Sequence, residues 1–225
     1  RDLHSFPTRR SSDLWSCVHK EGKGSFIEQK SEFIGEAAPV SSEEEAMAFV
    51  NKIRELHPKA THHCYAYILG ESQNIQRFSD DGEPGGTAGI PMLEVLKKQN
   101  LTNVCVVATR YFGGVLLGAG GLVRAYTRSA IVGIEKAIVV EKEIASLYRL
   151  AVPYESLGTV DYRLIQEKRK ESGRSYGEKV EIDLWIPQRD EEGFIRSMQE
   201  LFNGQAELNV MDQQWVSLFH GEILL

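Results

Sequence analysis

The sequence predicts an α+β protein built from two domains, and three observations predict it. Segments with the two-residue period of strands alternate with segments of helical period along the chain. The pattern restarts after about residue 142. From there the order reads strand–helix–strand–strand–helix–strand, which is the ferredoxin-like order. A length of 225 residues gives room for two domains of ordinary size, and 42% hydrophobic residues are enough for packed cores.

The elements follow in order. Glycines 22 and 24 punctuate "SCVHKEGKGSFIEQKSEFIGEAAPV", which reads as a hairpin or a pair of short strands. "SSEEEAMAFVNKIRELHP" carries a capping box in Ser42-x-x-Glu45, and its apolar positions Ala46, Phe49, Val50, Ile53 and Leu56 keep helical spacing up to Pro58. "HCYAYILG" and "NIQRF" read as strands. After the glycine-rich stretch "SDDGEPGGTAGIP", "PMLEVLKKQN" is a short helix with Pro91 tolerated in its first turn. "NVCVVATRYF" is a buried strand by its apolar, β-branched run. A second glycine loop, 113–121, then delivers a helix whose stripe is Val123, Tyr126, Ala130, Ile134 and Ala137.

In the second half, "SLYRLAVPY" is a strand and "LGTVDYRLIQEKRKESG" a helix ending at Gly173. The required second strand is placed near Arg174 to Tyr176. "EKVEIDLWIP" alternates, with Val180, Ile182, Leu184 and Ile186 on one side. "DEEGFIRSMQELFNG" is a helix with Phe194, Met198, Leu201 and Phe202 as its apolar face, and "QAELNVMDQQWVSLF" supplies a last strand or two. The expected domains are 15–141 and 146–225, with no long linker. Residues 1–14, "RDLHSFPTRRSSDL", are read as a non-native or disordered extension, because His4 to Leu14 resemble the conceptual translation of a common sequencing adapter.

Charge and cysteine content narrow the classes. Of the formal net charge of −6, residues 1–140 contribute nothing, with 16 Lys+Arg against 16 Asp+Glu; residues 141–225 carry 10 against 16. A bulk nucleic-acid footprint is therefore excluded, though a local basic patch is not. Three cysteines without paired spacing point to a reducing compartment rather than a disulfide framework. Apolar runs fall short of a bilayer span, so a cytoplasmic protein with no membrane partner is expected.

The two glycine loops are the candidate chemistry. Asp80, Asp81 and Glu83 could be metal ligands, but they lack a calcium loop's alternate spacing. His57, His62, His63 and Cys64 lack a second half at zinc spacing. No metal and no cofactor is expected; the carboxylates are expected to cap turns or meet a basic partner. "YFGGVLLGAGGLVRAY" runs strand, glycine loop, helix, the context in which helix-start amides hold an anion. Neither the Walker nor the dinucleotide pattern is met. Candidate binding residues are Asp80, Asp81, Glu83, Arg110, Gly113, Gly114, Gly118, Gly120, Gly121, Arg124 and Arg128, with close helix–strand packing as the alternative use of the glycines. No nucleophile elbow occurs, and Cys105 lies in a buried run, so no catalytic residue is assigned.

Three stretches, "ATHHCYAYILGE", "IQRFSDDGEPGGTAGIPMLEVL" and "VVATRYFGGVLLGAGGLVRAY", together closely resemble the IMPACT family in its bacterial form. Gly85 stands where the family often has serine, and His63 where it often has asparagine. The resemblance implies an N-terminal domain like domain two of ribosomal protein S5, also seen in domain IV of elongation factor G. It implies a ferredoxin-like C-terminal domain, like domain V of that factor. Eukaryotic relatives regulate translation initiation through a partner in the amino-acid-starvation kinase pathway, using an extra N-terminal domain for which no counterpart is read here. The expectation is a non-enzymatic, translation-associated protein that binds ribosome, RNA or a translation factor. Its alternative is a small-molecule enzyme using the carboxylates with the second loop as a phosphate cradle.

Overall fold

A computed structural model describes residues 15–224, so the reading of residues 1–14 lies outside the described residues. The chain divides into two compact units, which meet between Val140 and Glu141.

The first unit holds β1 (Trp15–Val18), β2 (Gly22–Glu28), β3 (Ser31–Pro39), α1 (Glu43–Leu56), β4 (His62–Leu69), β5 (Ile75–Ser79), α2 (Gly89–Lys98), β6 (Val104–Tyr111) and α3 (Gly118–Ala137). An antiparallel sheet runs β2–β3–β6–β4–β5. One face packs Phe33, Ala66, Val106 and Ala108 against Met92 and Leu96 of α2 and Tyr126, Ala130 and Ile134 of α3. The other packs Ala38, Tyr67, Cys105 and Val107 under Phe49, Val50 and Ile53 of α1. Helices on both faces explain why central β6 is apolar without alternation.

Ser42 caps α1 as expected, accepting from the Glu45 amide at 3.2 Å. The return half of the box differs: the Glu45 carboxylate accepts from the amide and hydroxyl of Ser41, at 2.7 and 2.8 Å. The buried stripe of α3 begins at Leu122, and Val123, expected within it, is partly exposed. That helix lies so close to the sheet that a Cβ on Gly35 would stand 1.8 Å from the Ser129 carbonyl oxygen.

The second unit holds β7 (Val139–Val152), α4 (Leu157–Gln166), β8 (Glu171–Tyr176), β9 (Val180–Pro187), α5 (Glu191–Leu201), β10 (Glu207–Phe219) and β11 (Glu222–Leu224). Its antiparallel sheet runs β11–β10–β7–β9–β8. Val160, Leu164, Phe194 and Met198 of the two helices cover Leu150, Val152, Val180, Ile182, Leu184 and Ile186. The short strand anticipated near Arg174 is present as β8. Two boundaries move. β7 starts seven residues before Ser146, and α4 stops at Gln166 rather than at Gly173. Lys168 takes a left-handed φ of 53°, and the Arg169 amide returns to the Leu164 carbonyl. This is a glycine-type helix stop made by lysine. Gly173 falls inside β8 instead. No described helix is long and apolar enough to cross a membrane.

Candidate functional site

The first glycine loop leaves β5 and enters α2, and its three carboxylates are held in three different ways. Asp80 accepts from the backbone amides of Gly86 at 2.8 Å, Ala88 at 3.0 Å and Gly89 at 2.8 Å. The residue at the α2 cap position is Ala88, which has no capping side chain, so Asp80 caps the helix from eight residues upstream. Asp81 adopts a left-handed φ of 43° and accepts from the His63 amide at 2.6 Å and from Arg54 at 3.2 Å. Its carbonyl accepts from His62 Nδ1 at 2.8 Å, which fixes the proton on that nitrogen.

Glu83 turns inward, and only 3% of its side chain is exposed. One oxygen, Oε1, accepts from Arg110 Nη1 and from the Tyr126 hydroxyl, both at 2.6 Å, with His62 Nε2 at 3.7 Å. Tyr126 belongs to α3 and Arg110 to the end of β6, so this carboxylate ties the first loop to both elements that flank the second. Burial, then Cys64 and Glu83, push the Tyr126 hydroxyl far above its ordinary range. Burial likewise raises the Cys64 thiol, which donates to the Asp80 carbonyl at 3.0 Å. A buried thiol held in this way is inert.

Arg110, a candidate binding residue, is not at the surface. Its side chain is 6% exposed, and it lies between the rings of Phe33 and Phe112, 5.4 and 5.3 Å from their centroids. The physical reason is register. Arg110 pairs across β3 with Phe33, so it faces the α2–α3 side of the sheet, where Glu83 neutralises it. Phe112 itself is 46% exposed.

The second loop opens with Gly113, whose amide donates to the buried Ser31 hydroxyl at 3.2 Å. A Cβ there would stand 1.9 Å from the Lys30 carbonyl oxygen, so close packing accounts for this glycine. Gly114 and Gly118 hold left-handed φ values of 82° and 69°, with open space where a side chain would be. Gly120 is exposed at the start of α3 with Gly121 beside it, and no side chain caps that start and no acidic residue occupies its first turn. Arg124 folds back so that its Nη1 lies 3.7 Å from where a Gly120 Cβ would be. Arg128 stacks on the Phe26 ring at 4.2 Å. Among the described residues neither arginine joins an ion pair, and the alternative pairing with Glu135 is not formed. Thus Arg124, Arg128 and Gly120 are exposed along the first half of α3, Gly113 is packed against Lys30, and Glu83 and Arg110 are buried together with Tyr126 of that helix.

Several residues outside that set belong to the same region. In the sequence Tyr126 carries only a core signal and Ser31 carries none. At the C-terminal end of α1, His57 contacts Tyr111 Oη at 2.9 Å and Lys23 at 3.2 Å, and Lys23 pairs with buried Glu36 at 3.1 Å. His63 Nε2 donates to the His57 carbonyl at 3.1 Å, and burial holds its imidazole below the ordinary value. No local spacing signals the contacts of His57 with Tyr111 and Lys23, since the end of α1 brings His57 to strands far away in the chain. Among the described residues, no group of three or more His, Cys, Asp or Glu side chains is placed to hold a metal ion.

Comparison with known proteins gives two family matches. Residues 29–134 match the Impact N-terminal domain, and residues 150–205 match a domain of unknown function, DUF1949. The chain is 41% identical over 206 residues to the IMPACT family member YvyE of Bacillus subtilis, covering 92% of this chain and 91% of that protein. It is 34% identical to the IMPACT family member YigZ of Escherichia coli over 82% of this chain and 92% of that one. A match of 36% identity to Protein IMPACT of Xenopus laevis covers 45% of this chain and 32% of that protein. A crystal structure of a hypothetical protein superposes with a TM-score of 0.56 at 32% identity, over 89% of this chain and 98% of the other.

Proposed function

Because this chain belongs to the IMPACT family, we propose that it is a non-enzymatic, translation-associated protein that contacts RNA, in the cytoplasm, through the second glycine loop of its N-terminal unit. One observation carries the reading. Arg124 and Arg128 are exposed, without ion pairs among the described residues, beside an uncapped start of a 20-residue helix. Free amides at that start and the two guanidinium groups along the helix each attract phosphate. Since the charges of residues 1–140 balance as a whole, any attraction for a polyanion has to be local. Translation enters from the family. The β-α-β-β-α-β order and the sheet order of the second unit support a ferredoxin-like reading of that unit, and the ribosomal-protein-S5-like reading of the first unit rests on the family resemblance.

The enzyme alternative needs Asp80, Asp81 and Glu83 as reacting groups. Each is instead engaged by amides, arginine or tyrosine, which supports a scaffolding role. The test is a salt series of RNA-binding titrations on wild type and Arg124→Ala/Arg128→Ala. The double variant is expected to bind more weakly and to flatten the slope of log affinity on log salt by roughly 0.7–0.9 per lost phosphate contact. Unchanged affinity and slope in a folded double variant would remove the site.

A further inference from the structure

Next to the second loop runs a continuous stack of two cations and three rings. Arg128 lies 4.2 Å from the Phe26 centroid, and Phe26 lies 5.4 Å from Phe33 with the ring planes 7° apart. Phe33 is followed by the Arg110 guanidinium at 5.4 Å, and that by Phe112 at 5.3 Å. Phe33 and Arg110 in the middle of the stack are buried and Phe26 partly so, and its two ends, Arg128 and Phe112, are exposed. Phe112 is also pinned through the chain. Its own amide donates to Thr61 Oγ1 at 3.2 Å, and the next amide, of Gly113, donates to Ser31 Oγ at 3.2 Å.

We propose that Phe112 is a stacking platform for a nucleobase, and that the RNA taken by this surface is therefore unpaired. This deepens the RNA reading above and rests on it. An aromatic face backed by a buried guanidinium and fixed at two backbone points loses little freedom when a flat partner lands on it. Such a platform suits any base, because every base has a π-face, whereas Arg124 and Arg128 supply the phosphate contacts that keep a strand in place. A base inside an A-form duplex has both faces covered by its neighbours and cannot reach a protein ring. Beside Phe112, Gly114 leaves open space where another residue would place a side chain, so a base has room to approach.

A purely structural role would make Phe112 a greasy cover over Arg110, and leucine would serve that role equally well. The decisive comparison therefore uses Phe112→Leu and Phe112→Trp in the full chain, with folding checked by thermal melting. Binding is measured for a 12-nucleotide RNA of mixed sequence without self-complementarity, and for the same RNA in a blunt duplex. Wild type is expected to prefer the single strand. Phe112→Leu should weaken single-strand binding about tenfold or more with the salt slope kept, and Phe112→Trp should retain it. Equal binding by Phe112→Leu and wild type, or a preference for the duplex, would overturn the platform. If the arginine double variant still loses affinity in that case, the RNA surface stands and only the platform falls. If wild type binds neither RNA at low salt, both readings fall together.

Discussion

Glu83 concentrates several functions in one carboxylate: it neutralises Arg110, accepts from Tyr126 and anchors the first loop. Removing its charge leaves a guanidinium buried without a counter-ion, so Glu83→Gln is expected to destabilise the N-terminal unit by about 3–5 kcal/mol, measurable by denaturant unfolding. Asp80 acts through backbone rather than charge. Asp80→Ala abandons three amides and the side-chain cap of α2, and is expected to cost about 2 kcal/mol in the same measurement. His63 gives a pH dependence. It is buried against Asp81 at 4.0 Å, with Arg54 and His57 also facing it, and its folded pKa is lowered mainly by desolvation. The unfolded chain binds the proton below about pH 6.5 and the folded chain resists it. This contribution to stability is thus full above that value and declines as pH falls from there toward the folded pKa. Unfolding midpoints at pH 7.5 and 5.5 should differ more for wild type than for His63→Asn.

At the scale of elements, the long helix α3 is positioned by glycines on the strands beneath it. Gly35 and Gly133 face each other across the contact, and a Cβ on either would stand within about 3 Å of backbone on the other side. Gly35→Ala is therefore expected to push α3 outward and to destabilise by about 3 kcal/mol, with the second glycine loop disordered in proportion. Hydrogen exchange in the 113–121 segment would show faster exchange in the variant. The same contact explains why Arg124 and Arg128 point to solvent. With Ala125, Ser129 and Gly133 committed to the sheet, the neighbouring helical positions turn away from it.

At the scale of the molecule, each unit carries its own apolar cluster, and β7 begins at Val139. A fragment starting at residue 146 would cut away the register in which Glu141 to Ala145 pair with Gln214 to Leu218 of β10. We expect a fragment of residues 139–225 to unfold in one cooperative transition by circular dichroism, and one of residues 146–225 to melt at lower temperature. A gradual, non-cooperative loss of signal from the longer fragment would argue against autonomy of this unit.

The order of strands and helices, the buried alternation Val180–Ile182–Leu184–Ile186 and the Ser42 cap were legible in the chain itself, because period and capping chemistry are local. Local signals misplaced the end of α4, since a left-handed lysine stops that helix where a glycine is the usual mark. The candidate site divides in the same way. The glycine loops and the flanking Arg124 and Arg128 are visible as a run of residues. That Arg110 would turn inward to Glu83 and Tyr126 depends on its pairing with Phe33 across two strands. Sequence determines which residues lie near one another along a strand or helix. Only the packed sheet decides which of two faces a charge must occupy, because that choice is set by partners dozens of residues away.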